Sequence, residues 1–385
     1  MVKVEDDKVF ANNESRLKFH QKLRSHNLAE GYSYDEEKLK PRPYWPTEPK
    51  NNVLPYHWKW EVLGEIIKES GELVGLGHGK INYDRRVIAL TNPGLENQYA
   101  ITTSFFADFQ YIRPGEGTPS HRHTPCAVRF IFEGKGWTTV GNENVDFEAG
   151  DIIFTGQFAW HNHGNKSNAD LLFLDVLDIP LLQYLGVSKW EFDYWSVSGS
   201  KDVLAAPYDV KNYDDKIVRR SDLRVCGEKQ VRQSEYFNHL RFKEVREILM
   251  NSLDKKNPYD GVMLEFTNSE NQGAIGPTMA VFTQMLPPNE KTLEHRHTTQ
   301  TIYVGVEGHG KIYVDDKVYE WGPHDVIVVP SWMWHKHENS SATEPCFLHS
   351  ISDASLISKI NLFREQRKLP NGEVEDTMWT NKYFE

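Results

Sequence analysis

The chain has 385 residues, which is long enough for two domains or for one domain built twice. Its formal net charge of −11, with no long basic run, argues against a nucleic-acid surface. The longest apolar stretch, residues 171–182, contains two aspartates and is too short to cross a bilayer, and the first residues carry no apolar signal core. Three cysteines, an odd number, argue against a disulfide framework. We therefore expect a cytoplasmic protein that binds neither nucleic acid nor membrane.

The predicted elements divide the chain into five segments. Residues 1–56 are polar and rich in proline, and we interpret them as an N-terminal arm. Short apolar runs separated by Gly, Asn and Asp, a pattern typical of β-sheet, dominate two domains at 57–190 and 266–360. Residues 191–265 form a mixed inter-domain segment, and residues 361–385 form a C-terminal tail. The fold class that follows is all-β dominated, with helices before and between the two β domains.

Three stretches place apolar residues at helical spacing. The polar arm contains a short amphipathic pattern at 15–30, and residues 57–74 carry the most convincing helix before the first β domain. Residues 238–253 predict a third helix just before the second β domain.

The two β-rich domains repeat each other at a constant offset of 174 residues, without a gap from Gln110 to Asn165. Such a match over so long a stretch indicates that one β unit has been duplicated. The matched pairs include His121 and His295, His123 and His297, Gly134 and Gly308, Trp160 and Trp334, and His161 and His335.

Histidines two residues apart suggest a metal site inside the first β domain. Side chains two apart on a strand point to the same face, so His121 and His123 converge, and Arg129 lies on that side as well. His161 and His163 repeat this spacing about forty residues later, and a small barrel would bring the two faces together inside. Three imidazoles on one side of a metal leave its other positions open to substrate and oxygen. The alternative, four buried histidines with only a packing role, is hard to reconcile with the duplication.

At these residues the sequence resembles the cupin superfamily. The first cupin motif, G-x5-H-x-H-x3,4-E-x6-G, is matched by Gly115, His121, His123 and Gly134. The second motif is matched by Gly150, His161 and Asn165, although Gly156 and Phe158 replace its usual Pro and Gly. Ala127 stands where the usual glutamate ligand would be. This departure points to a three-histidine site, His121, His123 and His161, without a carboxylate.

The residues around these motifs are similar to those of the gentisate 1,2-dioxygenase family, whose relatives cleave salicylate and 1-hydroxy-2-naphthoate. Among the stretches that carry the resemblance are "FQYIRPGE" (109–116), "HRHTPCAVRFIFEGKG" (121–136) and "LDVLDIP" (174–180). The resemblance implies a bicupin and an Fe(II)-dependent enzyme that inserts both atoms of O2 into an aromatic hydroxy acid. With gentisate, the product would be maleylpyruvate. By family analogy, the protein would be a homotetramer.

Five further residues are candidates for catalytic roles. Arg129 is expected to receive a substrate carboxylate or dioxygen, unless a structural carboxylate pairs with it. His163 is expected to act as an acid/base, with a fourth ligand or a core histidine as alternatives. Asp175 would orient an imidazole or pair with an arginine, or else end a strand. Gln110 would contact substrate or serve the fold, and Arg85, beside a second arginine, would bind an anion.

The second β domain keeps the three ligand histidines as His295, His297 and His335. Arg129, however, is replaced by Tyr303 at the same offset, so a substrate carboxylate would lose its partner there. We expect this second site to bind metal weakly or not at all.

Three alternatives to gentisate cleavage follow from the same motifs. The substrate could be salicylate or 1-hydroxy-2-naphthoate, since all three acids share a carboxylate beside a hydroxyl. A metal-dependent isomerase or decarboxylase is a second alternative, although cupins of that kind usually keep the glutamate that Ala127 replaces. A non-enzymatic bicupin, for storage or sugar binding, is the third.

Overall fold

The computed structural model describes residues 13–28, 34–35, 40–41, 48–74, 86–96, 98–141, 143–192, 237–268 and 273–378. The chain forms two compact units, residues 1–50 and 51–385. In the first unit, helix α1 (Asn13–Ser25) occupies the predicted amphipathic stretch, and strands β1 (Tyr34–Asp35) and β2 (Lys40–Pro41) pair antiparallel. None of the described helices combines the length and the apolar character that a bilayer span needs.

The second unit contains two halves with matching strand order. The first half comprises, in chain order, β3 (Tyr56–Trp58), α2 (Trp60–Leu73), β4 (Arg86–Ala89), β5 (Phe106–Ile112), β6 (Arg122–His123), β7 (Ala127–Glu133), β8 (Lys135–Val140), β9 (Glu143–Glu148), β10 (Ile152–Thr155), β11 (His161–Gly164), β12 (Leu171–Leu177), α3 (Ile179–Tyr184) and β13 (Trp190–Glu191). The second half comprises β14 (Phe237–Leu240), α4 (Phe242–Met250), a 3-10 turn (Leu253–Lys255), β15 (Val262–Glu265), β16 (Ala280–Leu286), β17 (His295–His297), β18 (Thr301–Glu307), β19 (Gly310–Val314), β20 (Lys317–Trp321), β21 (Val326–Val329), β22 (His335–Asn339), β23 (Cys346–Ser352), α5 (Ala354–Lys359), β24 (Arg364–Lys368) and β25 (Val374–Met378).

Each half builds a barrel from two sheets. In the first barrel the larger sheet has the order β14-β10-β7-β12-β5-β4, and β11-β8-β9 and β13-β6 form the other layer. In the second barrel the sheets have the orders β15-β16-β23-β18-β21-β3 and β20-β19-β22-β17-β24-β25. The predicted fold class, an all-β-dominated pair of domains with helices before and between them, is confirmed.

The two barrels exchange their leading strands. Strand β3, which precedes the first barrel in the chain, pairs with β21 of the second barrel. Strand β14, which precedes the second barrel, pairs with β10 of the first. The predicted domain boundaries stay a prediction, but strands of each larger sheet come from outside them: β14 lies in the predicted inter-domain segment and so does β15.

The larger sheets are buried on both faces, which explains their near-continuous apolar sequences. In β12, Leu172, Leu174 and Val176 belong to a core cluster that includes residues of both barrels. Leu171 and Phe173 alternate with them and belong to the interior of the first barrel. The period of two along the strand therefore separates the shared core from the barrel interior.

Candidate metal centre

Three histidine side chains converge inside the first barrel. His121 lies just before β6, His123 ends that strand and His161 begins β11. An antiparallel bridge joins His121 to His161. All three are buried, and their possible ligand nitrogens lie within 4.8 Å of one another.

Each of these imidazoles makes a hydrogen bond through Nδ1 to a backbone carbonyl at 2.8 Å. Because a carbonyl oxygen can only accept, Nδ1 must carry the hydrogen, and a neutral ring then holds its lone pair on Nε2. The three bonds therefore fix the tautomer in which Nε2 can bind a metal. The carbonyls belong to Pro119, Pro125 and Ala159.

The environment of His161 favours a metal over a proton. Burial, followed by the neighbouring His121 and His123, holds the pKa of His161 well below its ordinary value. Its Nε2 is buried and has no hydrogen-bond partner in the described part of the chain, which is costly unless a ligand binds. Ala127 is buried and contributes no carboxylate at the cupin glutamate position. Three neutral imidazoles fit a first-row transition ion such as iron or zinc.

His163 is buried beside this cluster, and its Nδ1 makes a hydrogen bond with Thr138. The two residues lie opposite each other on β11 and β8, with His163 Nδ1 2.8 Å from the Thr138 hydroxyl oxygen. That hydroxyl also donates to the carbonyl of Asn162 at 3.1 Å. With its single hydrogen used there, the hydroxyl fits an acceptor for Nδ1–H, which leaves the lone pair of His163 on Nε2. The ring centre of His163 lies 5.4 Å from that of His161.

Arg129 and Asp175 contact each other on adjacent strands. Arg129 Nε lies 3.3 Å from Asp175 Oδ2, and both side chains are almost completely buried. Arg129 Nη1 also donates to the hydroxyl of Thr155 at 2.8 Å, and Gln110 Nε2 donates to Asp175 Oδ2 at 3.0 Å. The sequence left open whether Arg129 meets a substrate or a structural carboxylate. In the structure it pairs with a structural carboxylate, that of Asp175. Gln110 supports that carboxylate, so these residues form one polar row across β5, β12, β7 and β10.

Of the two adjacent arginines, only Arg86, at the start of β4, lies within the described residues. Arg85 lies outside the described residues. Arg86 is buried and makes a bidentate ion pair with Glu116, at 2.7 Å and 3.2 Å. Arg86 is therefore already engaged by a structural carboxylate.

Two aromatic residues beside the histidines were not identified from the sequence. Strand β13 pairs with β6 and places Trp190 opposite His123. The ring centres of Trp190 and His123 lie 4.4 Å apart, and the Phe192 ring stacks on His121 at 6.2 Å. Trp190 and Phe192 are themselves nearly parallel. The alternation of the two aromatics in "WEF" was the available signal, since residues two apart share a face.

The second barrel brings together the predicted set His295, His297 and His335, with ligand nitrogens within 4.8 Å of one another. Burial lowers the pKa of His297 to about 4 and holds those of His295 and His335 well below the ordinary value. An unpredicted residue, Asp260, lies next to one member of this cluster, with Oδ1 3.6 Å from His295 Nε2, although its oxygens are not within 4.8 Å of all three histidine nitrogens. Burial, together with the charge of Glu365, raises the pKa of Asp260 to about 7.

Known proteins and protein families resemble this chain in both of its repeats. The sequence matches the family described as Cupin domain over residues 108–177 and 282–352. Gentisate 1,2-dioxygenase 1 of Aquipseudomonas alcaligenes is 33% identical over 357 residues, which cover 91% of this chain and 96% of the relative. The chain belongs to the gentisate 1,2-dioxygenase family. The predicted family is confirmed.

Other similar proteins are named for different substrates. A 5-aminosalicylate 1,2-dioxygenase of Comamonas sp is 29% identical over 376 residues, 93% of this chain and 94% of the relative. A crystal structure of salicylate 1,2-dioxygenase from Pseudoaminobacter salicylatoxidans, described as an adduct with gentisate, superimposes with a TM-score of 0.74 at 25% identity. The match covers 95% of this chain and 96% of that one. The predicted bicupin is thereby confirmed.

Proposed function

We propose that the protein is an Fe(II)-dependent dioxygenase that opens the ring of a 2-hydroxybenzoate-type acid, with gentisate and O2 giving maleylpyruvate. Both oxygen atoms enter the product, so the reaction needs no external reductant. The observation that carries the proposal is the group of three buried imidazoles whose Nδ1 atoms are all bound to carbonyls. The similarity to enzymes named for gentisate and 5-aminosalicylate supports this class of substrate.

His121, His123 and His161 would hold the ion through Nε2. A ferrous ion held there would supply a binding place for the acid's carboxylate and ortho oxygen and would activate O2. Iron is proposed instead of zinc because zinc also binds imidazole readily but has no redox chemistry.

Arg129 would place positive charge next to the anionic substrate and oxygen. Its guanidinium is held in position by Asp175 and Thr155, and Asp175 is held in turn by Gln110. In this proposal Asp175 and Gln110 are positioning residues, and Arg129 acts through its fixed charge in a buried site of low dielectric constant. A role for Arg85 in binding the acid remains a prediction.

His163 would move a proton. The hydrogen bond of its Nδ1 with Thr138 leaves Nε2 as the basic atom, and the ring lies next to His161. A neutral imidazole there would accept the proton of a ring hydroxyl and return it to the product. Trp190 and Phe192, whose rings flank the ligand histidines, offer flat apolar surface that suits an aromatic acid.

An oxygen-uptake panel with the iron-loaded protein tests the function. Gentisate, 5-aminosalicylate, salicylate and 1-hydroxy-2-naphthoate are compared with benzoate, which lacks the ortho hydroxyl and should consume no O2. We expect one O2 per ring opened with at least one of the four acids. His121→Ala should lose most of its iron and essentially all O2 uptake, whereas His309→Ala, an exposed histidine, should keep both.

Three results would contradict the proposal. Full O2 uptake in His121→Ala would show that the iron lies elsewhere. A reaction that decarboxylates or isomerises its substrate without consuming O2 would favour the alternative enzyme classes, and metal-independent binding of a sugar would favour a non-enzymatic bicupin.

We further propose that the enzyme works in the cytoplasm as a homotetramer. Cys126 and Cys346 are buried free thiols, which suits a reducing compartment. The tetramer rests on analogy within the family. Light scattering on the eluted peak of a sizing column would test it, and a monomeric mass would contradict it.

A further inference from the structure

A tight turn directs the carboxylate of Asp260 at the histidines of the second barrel. Asn257 Oδ1 accepts the backbone N–H groups of Tyr259 and Asp260, each at 2.7 Å, and backbone bonds join Asn257 to Gly261. Gly261 adopts φ of +73°, a conformation that suits glycine and fixes the direction of the chain. Asp260 Oδ2 is bound by Asn257 Nδ2 at 3.3 Å, and Oδ1 faces His295.

The distance between Asp260 and His295 is close to the separation of two ligands of one ion, so a small rotation of the Asp260 side chain would bring its oxygen to the ion. Nitrogen and oxygen ligands that lie about 2.1 Å from a first-row ion are separated by about 3.0–3.4 Å. Asp260 Oδ1 and His295 Nε2 are 3.6 Å apart, slightly farther than this range and too far for a hydrogen bond. His335 Nε2 is buried and has no hydrogen-bond partner among the described residues, so it is also available to an ion.

The surroundings of Asp260 call for a cation. No lysine or arginine within the described ranges makes an ion pair with Asp260; the charge of Arg367 acts on it, but that guanidinium is paired with Glu365. A buried carboxylate is normally paired or bound to a metal. Asp260 is the single charged side chain among the described residues that line the cavity; its other lining residues are Met263, Phe282, His295, His297, Thr299, Thr301, Tyr303, Ser350, Ser352, Ala354 and Phe363.

The cavity is too small for an aromatic acid. Its volume is about 40 Å³, whereas pockets for organic ligands measure about 300–1,000 Å³. Tyr303 occupies the position that Arg129 has in the first barrel, and a carboxylate substrate would meet Asp260. The cavity therefore suits an inorganic cation and one or two waters.

We propose that the second barrel holds a closed, structural metal centre in which Asp260 joins His295, His297 and His335 as the fourth protein ligand of a divalent transition ion. Four protein ligands are typical of structural centres, whereas catalytic centres leave a position open. The ion stabilises the second barrel by tying the Asn257–Gly261 turn to β17 and β22. The carboxylate comes from outside the duplicated motif, so the two centres of the chain differ in composition, and this proposal replaces the expectation from sequence of weak or absent metal binding.

Co2+ loading of the full chain tests this proposal. A His121→Ala/His123→Ala variant leaves the second centre alone, and we expect it to bind one Co2+ per chain, with visible ligand-field absorption and a higher Tm than its metal-free form. Adding Asp260→Asn should weaken Co2+ binding by at least about tenfold and change the absorption. The control is Glu265→Gln on β15, which makes the same chemical change at a carboxylate that does not line the cavity; it should change neither.

Absence of Co2+ from the His121→Ala/His123→Ala variant would overturn the centre, and equal behaviour of Asp260→Asn and Glu265→Gln would overturn the role of Asp260. If Asp260→Asn fails to fold, Asp260→Cys replaces it. A thiolate-to-Co2+ charge-transfer band in the folded Asp260→Cys protein is expected, and a folded protein without the band would contradict the proposal. O2 uptake is a separate readout, so failure of this centre is distinguishable from failure of the dioxygenase function.

Discussion

The buried ion pair of Arg129 and Asp175 distinguishes the first half of the duplicated chain from the second. At the same offset they correspond to Tyr303 and His349, so the second barrel has neither the cation nor its partner. Removing one member of a buried pair leaves the other charge uncompensated, which costs about 3–5 kcal/mol. We therefore expect Arg129 and its partner Asp175 to be gained or lost together when a duplicated half diverges.

Arg129→Lys should reduce kcat/KM by at least about tenfold while the fold survives. Lysine keeps the charge but has a single donor centre, so it cannot bond Asp175 and Thr155 and still present a planar face to the substrate. Steady-state kinetics and circular dichroism measure the two effects. Arg246→Lys, in a partly exposed pair with Glu307, is the matched control and should behave as wild type; unchanged kinetics in Arg129→Lys would make its guanidinium purely structural.

His163→Ala should keep its iron and turn over more slowly, with a flatter dependence of kcat on pH. The reason is that the proposed proton carrier is gone while the three ligand histidines remain. Thr138→Val, which removes the partner of Nδ1, should shift the pH profile and spare the iron content. Iron loss in His163→Ala as large as in His121→Ala would identify His163 as a ligand.

The sequence predicted the histidines because a spacing of two fixes their common face, whatever the rest of the fold. It did not predict Trp190 or Asp260. Trp190 meets His123 only through the pairing of β13 with β6, and Asp260 meets His295 through a turn some 35 residues away in the chain. Contacts of this kind depend on tertiary register, which no local pattern encodes.

At the scale of elements, each leading strand and its helix form one unit anchored by an aspartate. Asp325 accepts hydrogen bonds from His57 on β3 and from the backbone N–H of Trp60, at the start of α2. Asp151 does the same for His239 on β14 and for Phe242, at the start of α4. The sequence predicted single helices over 57–74 and 238–253. The structure begins each stretch with a strand, because the backbone there pairs with the opposite barrel.

Asp325→Asn should destabilise the protein by about 1–2 kcal/mol near neutral pH, since the helix start and His57 lose a charged acceptor. Burial by itself would raise the pKa of Asp325, but hydrogen bonds from His57, Trp60 and Gly322 outweigh it and hold the pKa below the ordinary value of 3.8. A lowered pKa in the folded state means that this stability is complete above pH 3.8 and is lost as the pH falls below it.

Urea unfolding of the metal-free protein at a series of pH values measures this effect. The difference between wild type and Asp325→Asn should shrink below pH 3.8. Asp316→Asn, an exposed position, provides the comparison and should have no effect at any pH. A constant difference down to the lowest pH would show that the charge of Asp325 is irrelevant.

At the scale of the whole molecule, His349 joins the two barrels. Its Nε2 donates to the carbonyl of Gly150 in the first barrel at 3.0 Å, and its Nδ1 accepts from the hydroxyl of Thr283 at 2.8 Å. Burial lowers its pKa to about 4. Burial therefore keeps the His349 ring neutral at the seam between the barrels, where its single N–H bonds Gly150 and its lone pair bonds Thr283.

His349→Leu should cost about 1–3 kcal/mol at pH 7, because the Gly150 carbonyl and the Thr283 hydroxyl lose their partner. The unfolded histidine, with an ordinary pKa near 6.5, binds a proton more readily than the folded one, so wild-type stability falls as the pH drops from 6.5 towards 4. The difference between wild type and His349→Leu should therefore shrink by about 1–2 kcal/mol between pH 7 and pH 5. Urea unfolding at the two pH values measures it, and a difference independent of pH would contradict the role of this ring.

The exchange of leading strands has a consequence for synthesis on the ribosome. Tyr56–Trp58 leaves the exit tunnel early, but its partner strand, Val326–Val329, follows about 270 residues later. At about 5–20 residues per second, the interval is about 15–50 s. During that time β3 has no sheet to join, and until β14 emerges the first barrel has an open edge at β10, where a second nascent chain could pair. Nascent chains on neighbouring ribosomes of one message would therefore expose unpaired β10 edges close to one another until β14 is made.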